Sequence, residues 1–326
     1  MGLILAKDID MIDKIKLSLK QISLEEESVR KYINTTRYQT ELLQDLDVWN
    51  KICSSLDTIG DTILSIDDYL SSEYPKSTGL KYIFTYGLLQ SLFIQQDAVK
   101  QLAEAFEVNF SLNEKLKNIR AIRNASVGHP TKNLVKGTVF YNYLSRITIS
   151  KSGFTLMRSS EGHRHDFAEI DLYSIIWDQL NEIQKSYGLI SAKLIEADKM
   201  HREKYRKVQI VDIFHSSMGY QFSKVAEGIS APVHNRNFGL SMLSSIEETY
   251  LKFEKELKER NELNEYIKFD LEEYFYAIEK LKSFLSGKSD QMNESDARIY
   301  LFYIREEHPH FVKIAEEIDE EYNRQV

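Results

Sequence analysis

Proline is almost missing from this chain: it occurs only at Pro75, Pro130, Pro232 and Pro309 among 326 residues. A residue without a backbone N–H and with φ locked interrupts helices, so a chain this poor in proline is free to run long ones. Apolar residues recur at helical spacing over most of the length. The expected fold is therefore mainly α-helical, with each proline at or near a helix boundary.

The length exceeds what one hydrophobic core usually serves, which implies one large domain with an appendage or two domains. With 42% apolar and 11% aromatic residues, the chain has enough material for a core. Cys53 is the single cysteine, so no internal disulfide forms and no thiolate zinc site is expected. No run approaches the roughly 20 apolar residues of a membrane span. The opening MGLILAKDIDMIDK reaches acids too soon for a signal peptide, and Ala6 stands where myristoylation prefers Ser or Thr. The expectation is a cytoplasmic protein with no membrane partner.

Helical patterns cover about 7–33, 45–72 and 80–107, the last apolar on more than one face and so the most buried. Ser111 and Glu114 have the form of a capping box, which predicts a fourth helix from about 112 to Gly128-His129-Pro130. Between 138 and 170 the character changes. TVFYNYLSRITIS and GFTLMRSS, separated by Lys151-Ser152-Gly153, predict a β-hairpin. A helix then opens at Asp171 and runs past 200. From 246 to 285 a 4-3 spacing (Ile246, Tyr250, Phe253, Leu257, then Ile267 to Leu285) is interrupted at Arg260 and Asn264. It fits either one long helix with a polar break or an antiparallel pair. The last helices are expected at about 294–307 and 310–325, with His308-Pro309-His310 as the turn between them.

The segment 114–136 carries the functional argument. It holds Lys115, Lys117, Arg120, Arg123, Lys132 and Lys136 against Glu114 alone, a balance of +5 in a chain of net charge −8, which leaves −13 for the remainder. At 100° per residue, Leu112, Leu116, Ile119 and Val127 fall within about 80° of one another, with Arg123 in the middle of that stripe. A guanidinium there must be paired with a carboxylate, reach solvent along its stem, or line a cleft or interface. Gly128 suits a left-handed cap, and the residue before Pro130 is pushed out of helical geometry, so the chain turns at His129 and its ring can fold back towards Arg123. An imidazole beside a guanidinium and an amide, Asn124, suits metal-free RNA cleavage. The imidazole acts as acid or base, the guanidinium stabilises the phosphorane, and the ribose 2'-hydroxyl is the nucleophile.

Arg123-Asn124-Ala-Ser-Val-Gly-His129 resembles the signature of the HEPN superfamily, an Arg followed after four to six residues by His, commonly with a polar residue after the Arg. The spacing itself recurs at Arg158/His163, Arg158/His165 and Arg305/His310. Only Arg123/His129 combines a capped helix, the following Asn, a Gly-His-Pro stop and basic surroundings. The resemblance covers about residues 45–195. It implies a HEPN-like four-helix bundle at 41–200 carrying the hairpin as an insertion at about 138–170; outside it, the helical patterning predicts an N-terminal helical segment at 1–40 and a coiled-coil-like helical domain at 201–326. It further implies a homodimeric, metal-independent endoribonuclease of toxin or phage-defence type that leaves 2',3'-cyclic phosphate ends. In that reading Arg123 and His129 are catalytic, Asn124 supports them, Arg120, Lys117, Lys132 and Lys136 contact RNA, and neither cofactor nor metal takes part.

The alternative is a non-catalytic helical interaction or regulatory module of the same type, in which Arg123 is a structural ion pair and residues 201–326 hold a protein partner. A third reading takes His163, His165 and Asp166 as a metal site. The basic stretch Lys199 to Lys207 reads as an exposed helix end.

Overall fold

In a computed structural model, residues 6–135, 137–160, 165–288 and 291–324 are described. The chain is mainly helical, as its proline content and periodicity predict, with one small antiparallel sheet. No described helix is long and apolar enough to cross a membrane. By contacts the chain divides into two compact units, one made of residues 1–32 and 45–194, the other of 33–44 and 195–326. The N-terminal helix is thus not a separate segment. Its residues up to 32 group with the first unit, and the short stretch after them belongs to the second.

In the first unit, α1 (Ala6–Ile33) buries Ile15, Leu19, Ile22 and Val29 along one face. Asp45 caps α3 (Leu46–Ser71), its carboxylate accepting the backbone N–H of Asp47 and Val48. Helix α4 (Thr78–Ala105) packs along α3 and buries Leu88, Leu89, Leu92, Gln95, Gln96 and Val99. Its opposite side stays open. Leu80, Ile83, Gly87 and Ile94 are exposed and Gln90 is half-buried, in a 3-4-3-4 stripe along the helix.

Helix α5 spans Glu114–Arg123. Its N-cap is Asn113, whose side chain accepts the N–H of Leu116 at 3.0 Å, so Ser111 does not form the expected box. Asn caps as well as Ser does, and it stands nearer the first turn. Beyond Arg123 the helix does not end in a left-handed glycine. Asn124–Gly128 form a π-helical turn, closed by the His129 N–H donating to the Asn124 carbonyl at 2.7 Å. Gly128 has no positive φ.

The expected hairpin is part of a four-stranded antiparallel sheet in the order β1-β2-β3-β4: Asn133–Val135, Thr138–Leu144, Gly153–Ser159 and Asp166–Asp171. Gly137, at φ 84°, makes the tight β1–β2 turn. A Cβ at Gly153 would stand 2.1 Å from the Ile170 carbonyl oxygen, so only glycine allows β3 to lie against β4 there. Helix α6 (Leu172–Tyr205) follows and is divided between the two units at residues 194 and 195.

The second unit holds α2 (Thr36–Leu42), the end of α6, α7 (Met218–Ser230), α8 (Asn237–Glu259), α9 (Glu265–Leu285) and α10 (Glu294–Asn323). The 4-3 stripe resolves as an antiparallel pair, α8 against α9, joined through Asn261 at φ 58°. Ile246, Tyr250, Phe253 and Leu257 are fully buried, and Tyr250 stacks on Tyr274 with centroids 3.9 Å apart. Gly228 and Gly239 let α7 and α8 touch, since a Cβ on either would stand 3.0 Å from the other's Cα. The last two expected helices are one. Helix α10 runs through Pro309 because Leu301, Ile304, Phe311 and Ala315 all enter the core from a single face. That burial outweighs the roughly 3 kcal/mol a mid-helix proline costs.

Beneath these helices lies a buried charge cluster. Arg37, whose side chain is 2% exposed, donates to Asp198 at 2.8 Å, Glu321 at 2.9 Å and Glu262 at 3.2 Å. The Tyr38 hydroxyl donates to Asp198 at 2.6 Å, and Tyr322 donates to Glu262 at 3.1 Å. Arg260, also buried, reaches the Val208 carbonyl and the Glu256 carboxylate.

Candidate functional site

Arg123 closes α5 half-buried, with its guanidinium lying against α4. Its Nε and Nη2 both donate to the Gln90 side-chain oxygen, at 3.0 and 2.7 Å, and Nη1 donates to the Asn124 side-chain oxygen at 2.9 Å. The guanidinium carbon stands 4.4 Å from the centroid of the Phe93 ring, a cation–π contact. Three of the five N–H groups thus meet neutral amide oxygens, and two are left for another acceptor. Among the described residues no carboxylate pairs with Arg123, which sets it apart from the buried ion pair the sequence left open.

The π turn decides where His129 goes. On an α-helix, positions 124 and 129 would diverge by about 140°. An i to i+5 bond instead places His129 one turn beyond Asn124, its N–H on the Asn124 carbonyl. Gly128 gives that guanidinium room: a Cβ there would meet Arg123 Nη1 at 2.8 Å and the Asn124 side-chain oxygen at 3.3 Å. The Arg123, Asn124 and Gly128 side of the turn is therefore one packed group. His129 follows directly, exposed, with φ −138° and ψ 54°. Pro130 then ties the turn to the sheet, its carbonyl accepting the Asn142 N–H of β2 at 2.8 Å.

The basic surroundings are weaker in space than in sequence. Arg120, also over Phe93 at 4.5 Å, donates its Nε to Gln96 at 2.8 Å and forms an ion pair with Asp97. Lys117 pairs with Glu114 at 2.9 Å and Lys115 with Asp178 at 2.6 Å. Asp97 and Asp178 come from α4 and α6, so two cations of the +5 stretch, Arg120 and Lys115, have carboxylate partners that local counting does not see. Lys132 is exposed beside the site. Lys136 lies outside the described residues.

Behind Arg120 a chain of amides runs into the core. Gln96 donates to Gln179 at 2.7 Å, and Gln179 donates to Gln95 at 2.8 Å and to the Leu92 carbonyl at 2.9 Å. All three glutamines are fully buried. Sequence reasoning missed Gln90, Phe93 and this chain. The available signal was glutamine at four positions on one largely apolar helix, Gln90, Gln95, Gln96 and Gln101, since a buried amide requires a partner.

The other candidates separate. His165 is exposed, and His163 lies outside the described residues. Among the described residues no group of three or more His, Cys, Asp or Glu is arranged to hold a metal. His308 sits within α10, not in a turn, its Nδ1 2.8 Å from the Tyr250 hydroxyl. No protein-family model, curated protein or solved structure matches the chain.

Proposed function

We propose that the chain is a metal-independent endoribonuclease of HEPN type, with Arg123 and His129 catalytic and Asn124 supporting. The observation that carries this is Arg123 itself, a half-buried guanidinium oriented by neutral amides alone, with two N–H groups unspent, directly before the turn that delivers His129. A structural arginine is usually neutralised where it is buried. This one keeps its charge for an anion.

The chemistry follows from that charge. RNA phosphate takes the free N–H groups, and the ribose 2'-hydroxyl attacks the adjacent phosphorus as His129 removes its proton. Arg123 stabilises the charge gathering on the phosphorane oxygens, and the 5'-oxygen leaves as a hydroxyl with a proton taken from water, giving a 2',3'-cyclic phosphate, while His129 returns its proton to solvent. The open stripe of Leu80, Ile83, Gly87, Gln90 and Ile94 runs along α4 and includes the residue that orients Arg123. It supports pairing of two copies through a HEPN-like helical bundle; the toxin or phage-defence setting is part of the proposal and follows from the resemblance alone.

Purified protein incubated with mixed RNA in EDTA should yield fragments with cyclic phosphate ends. His129→Ala should abolish that product while leaving the helical circular-dichroism signal intact. An intact fold that leaves RNA uncut under all conditions would sink the reading.

One observation favours the alternative of a non-catalytic interaction module with a protein partner on 201–326. An apolar groove between α9 and α10, lined by Phe269, Tyr276, Ile299 and Tyr300 with Glu272 and Glu273 at its edge, lies open in the second unit.

A further inference from the structure

The four-stranded sheet has one face that neither the core nor the proposed chemistry uses. Strand register settles which residues share it. Tyr143 pairs across β2–β3 with Met157, Met157 pairs across β3–β4 with Phe167, Tyr141 pairs with Ser159, and Leu134 pairs with Val139. Paired residues lie on the same side of a sheet. On the other side Asn142, Phe154, Leu156 and Ile170 are buried. The outward side leaves Tyr141 43%, Tyr143 53% and Phe167 63% exposed.

We infer that this outward face is a base-stacking platform for single-stranded RNA, continuous with the Arg123–His129 site. The choice of RNA over DNA rests on the ribonuclease reading; the single-stranded class rests on the sheet. Tyr141 and Tyr143 stand about 6.7 Å apart along one strand, and Phe167 lies two strands from Tyr143, about 9.6 Å away. Rings set apart this way each meet a separate, unstacked base, which duplex geometry does not offer.

Charge points the same way. Ser159 and Met157, the neighbours of the two tyrosines, are neutral, and Glu169, the nearest acid on this face of β4, accepts the Thr155 hydroxyl at 2.8 Å. Lys132, just before β1, and Arg146, just after β2, are exposed and have no carboxylate partner among the described residues. They bracket the tyrosines with positive charge that a phosphate backbone would meet. Continuity comes from Asn142, which lies between Tyr141 and Tyr143 and donates its N–H to Pro130, the residue after His129.

The test uses the full chain and a fluorescein-labelled 12-nucleotide single strand, 2'-O-methylated so that it cannot be cut, with affinity read by anisotropy. Tyr143→Ser and Phe167→Ser should each weaken binding at least fivefold and Tyr141→Ser/Tyr143→Ser/Phe167→Ser at least fiftyfold, whereas Tyr143→Phe should not change it. A 12-base-pair duplex should bind at least tenfold more weakly than the single strand. Should a serine variant fail to fold, 4-thiouridine in the same strand should photocrosslink to peptides containing residues 141–143 or 167 in the wild-type chain. No binding by the wild-type chain, equal affinity for wild type and triple variant, or crosslinks only elsewhere would overturn the platform. So would a triple variant that changes sedimentation but not affinity, since the face would then be a protein interface. Binding through the platform with unmodified RNA left uncut would remove the nuclease reading alone. RNA cut normally by a triple variant of unchanged affinity would remove the platform alone.

Discussion

Gly128 shows how closely the candidate site is fitted. Its missing Cβ is the space that Arg123 Nη1 occupies, so Gly128→Ala should push the guanidinium off Asn124. Because the obstructing atom ends a flexible side chain, stability should change by only about 1 kcal/mol, while RNA cleavage falls at least tenfold in a timed fragment assay. Equal loss of both would mean that the turn itself had collapsed. In the second unit Arg37 is the opposite case, a cation surrounded by acids. Arg37→Met leaves Asp198, Glu262 and Glu321 facing one another without it, and urea unfolding should show a loss of about 3 to 5 kcal/mol. The motif Arg123–His129 was legible because it is local in sequence. Gln90 was not, since only the packing of α4 on α5 brings a residue 33 positions earlier to that guanidinium.

Elements were legible to the extent that their causes are local. The 3.6-residue period locates α1, α3, α4 and α6 closely, and the 4-3 stripe with its polar break left open the α8–α9 pair that forms. Pro309 misled because a purely local rule ends a helix that the core continues. Within α10, burial against Phe214, Phe222 and Tyr250 holds the His308 imidazole below its ordinary value, and burial together with nearby Arg37 does the same to His201. A base with a depressed folded pKa contributes its full stability above the unfolded value of about 6.5. Below that value the unfolded chain takes the proton first, and stability falls. Glu262, raised by burial, acts in the opposite sense. Melting temperature should therefore drop between pH 7 and pH 5, and His308→Gln, which keeps a partner for Tyr250, should shrink the drop. An unchanged slope in that variant would show that His308 does not titrate on unfolding.

For the whole molecule, the net charge of −8 and the local +5 both looked decisive in sequence, yet three-dimensional pairing with Asp97 and Asp178 moderates the second. A site with few free cations should bind RNA with a shallow salt dependence and depend on contacts other than charge. If two copies pair through the open stripe of α4, Ile83→Glu should convert a dimer to a monomer in sedimentation and remove cleavage, with the monomer's helical content unchanged. A dimer that survives this change would place the interface elsewhere. That residues 33–44 belong to the second unit was not legible, because they join it through Arg37, whose acids lie 161, 225 and 284 residues further on. That separation sets a timetable. At roughly 5 to 20 residues per second of synthesis, Arg37 leaves the ribosome about 14 to 57 s before Glu321 does. Asp198 and Glu262 come earlier, yet the set of acids around Arg37 is complete only with Glu321, so the second unit closes late, around a residue made well before its partners.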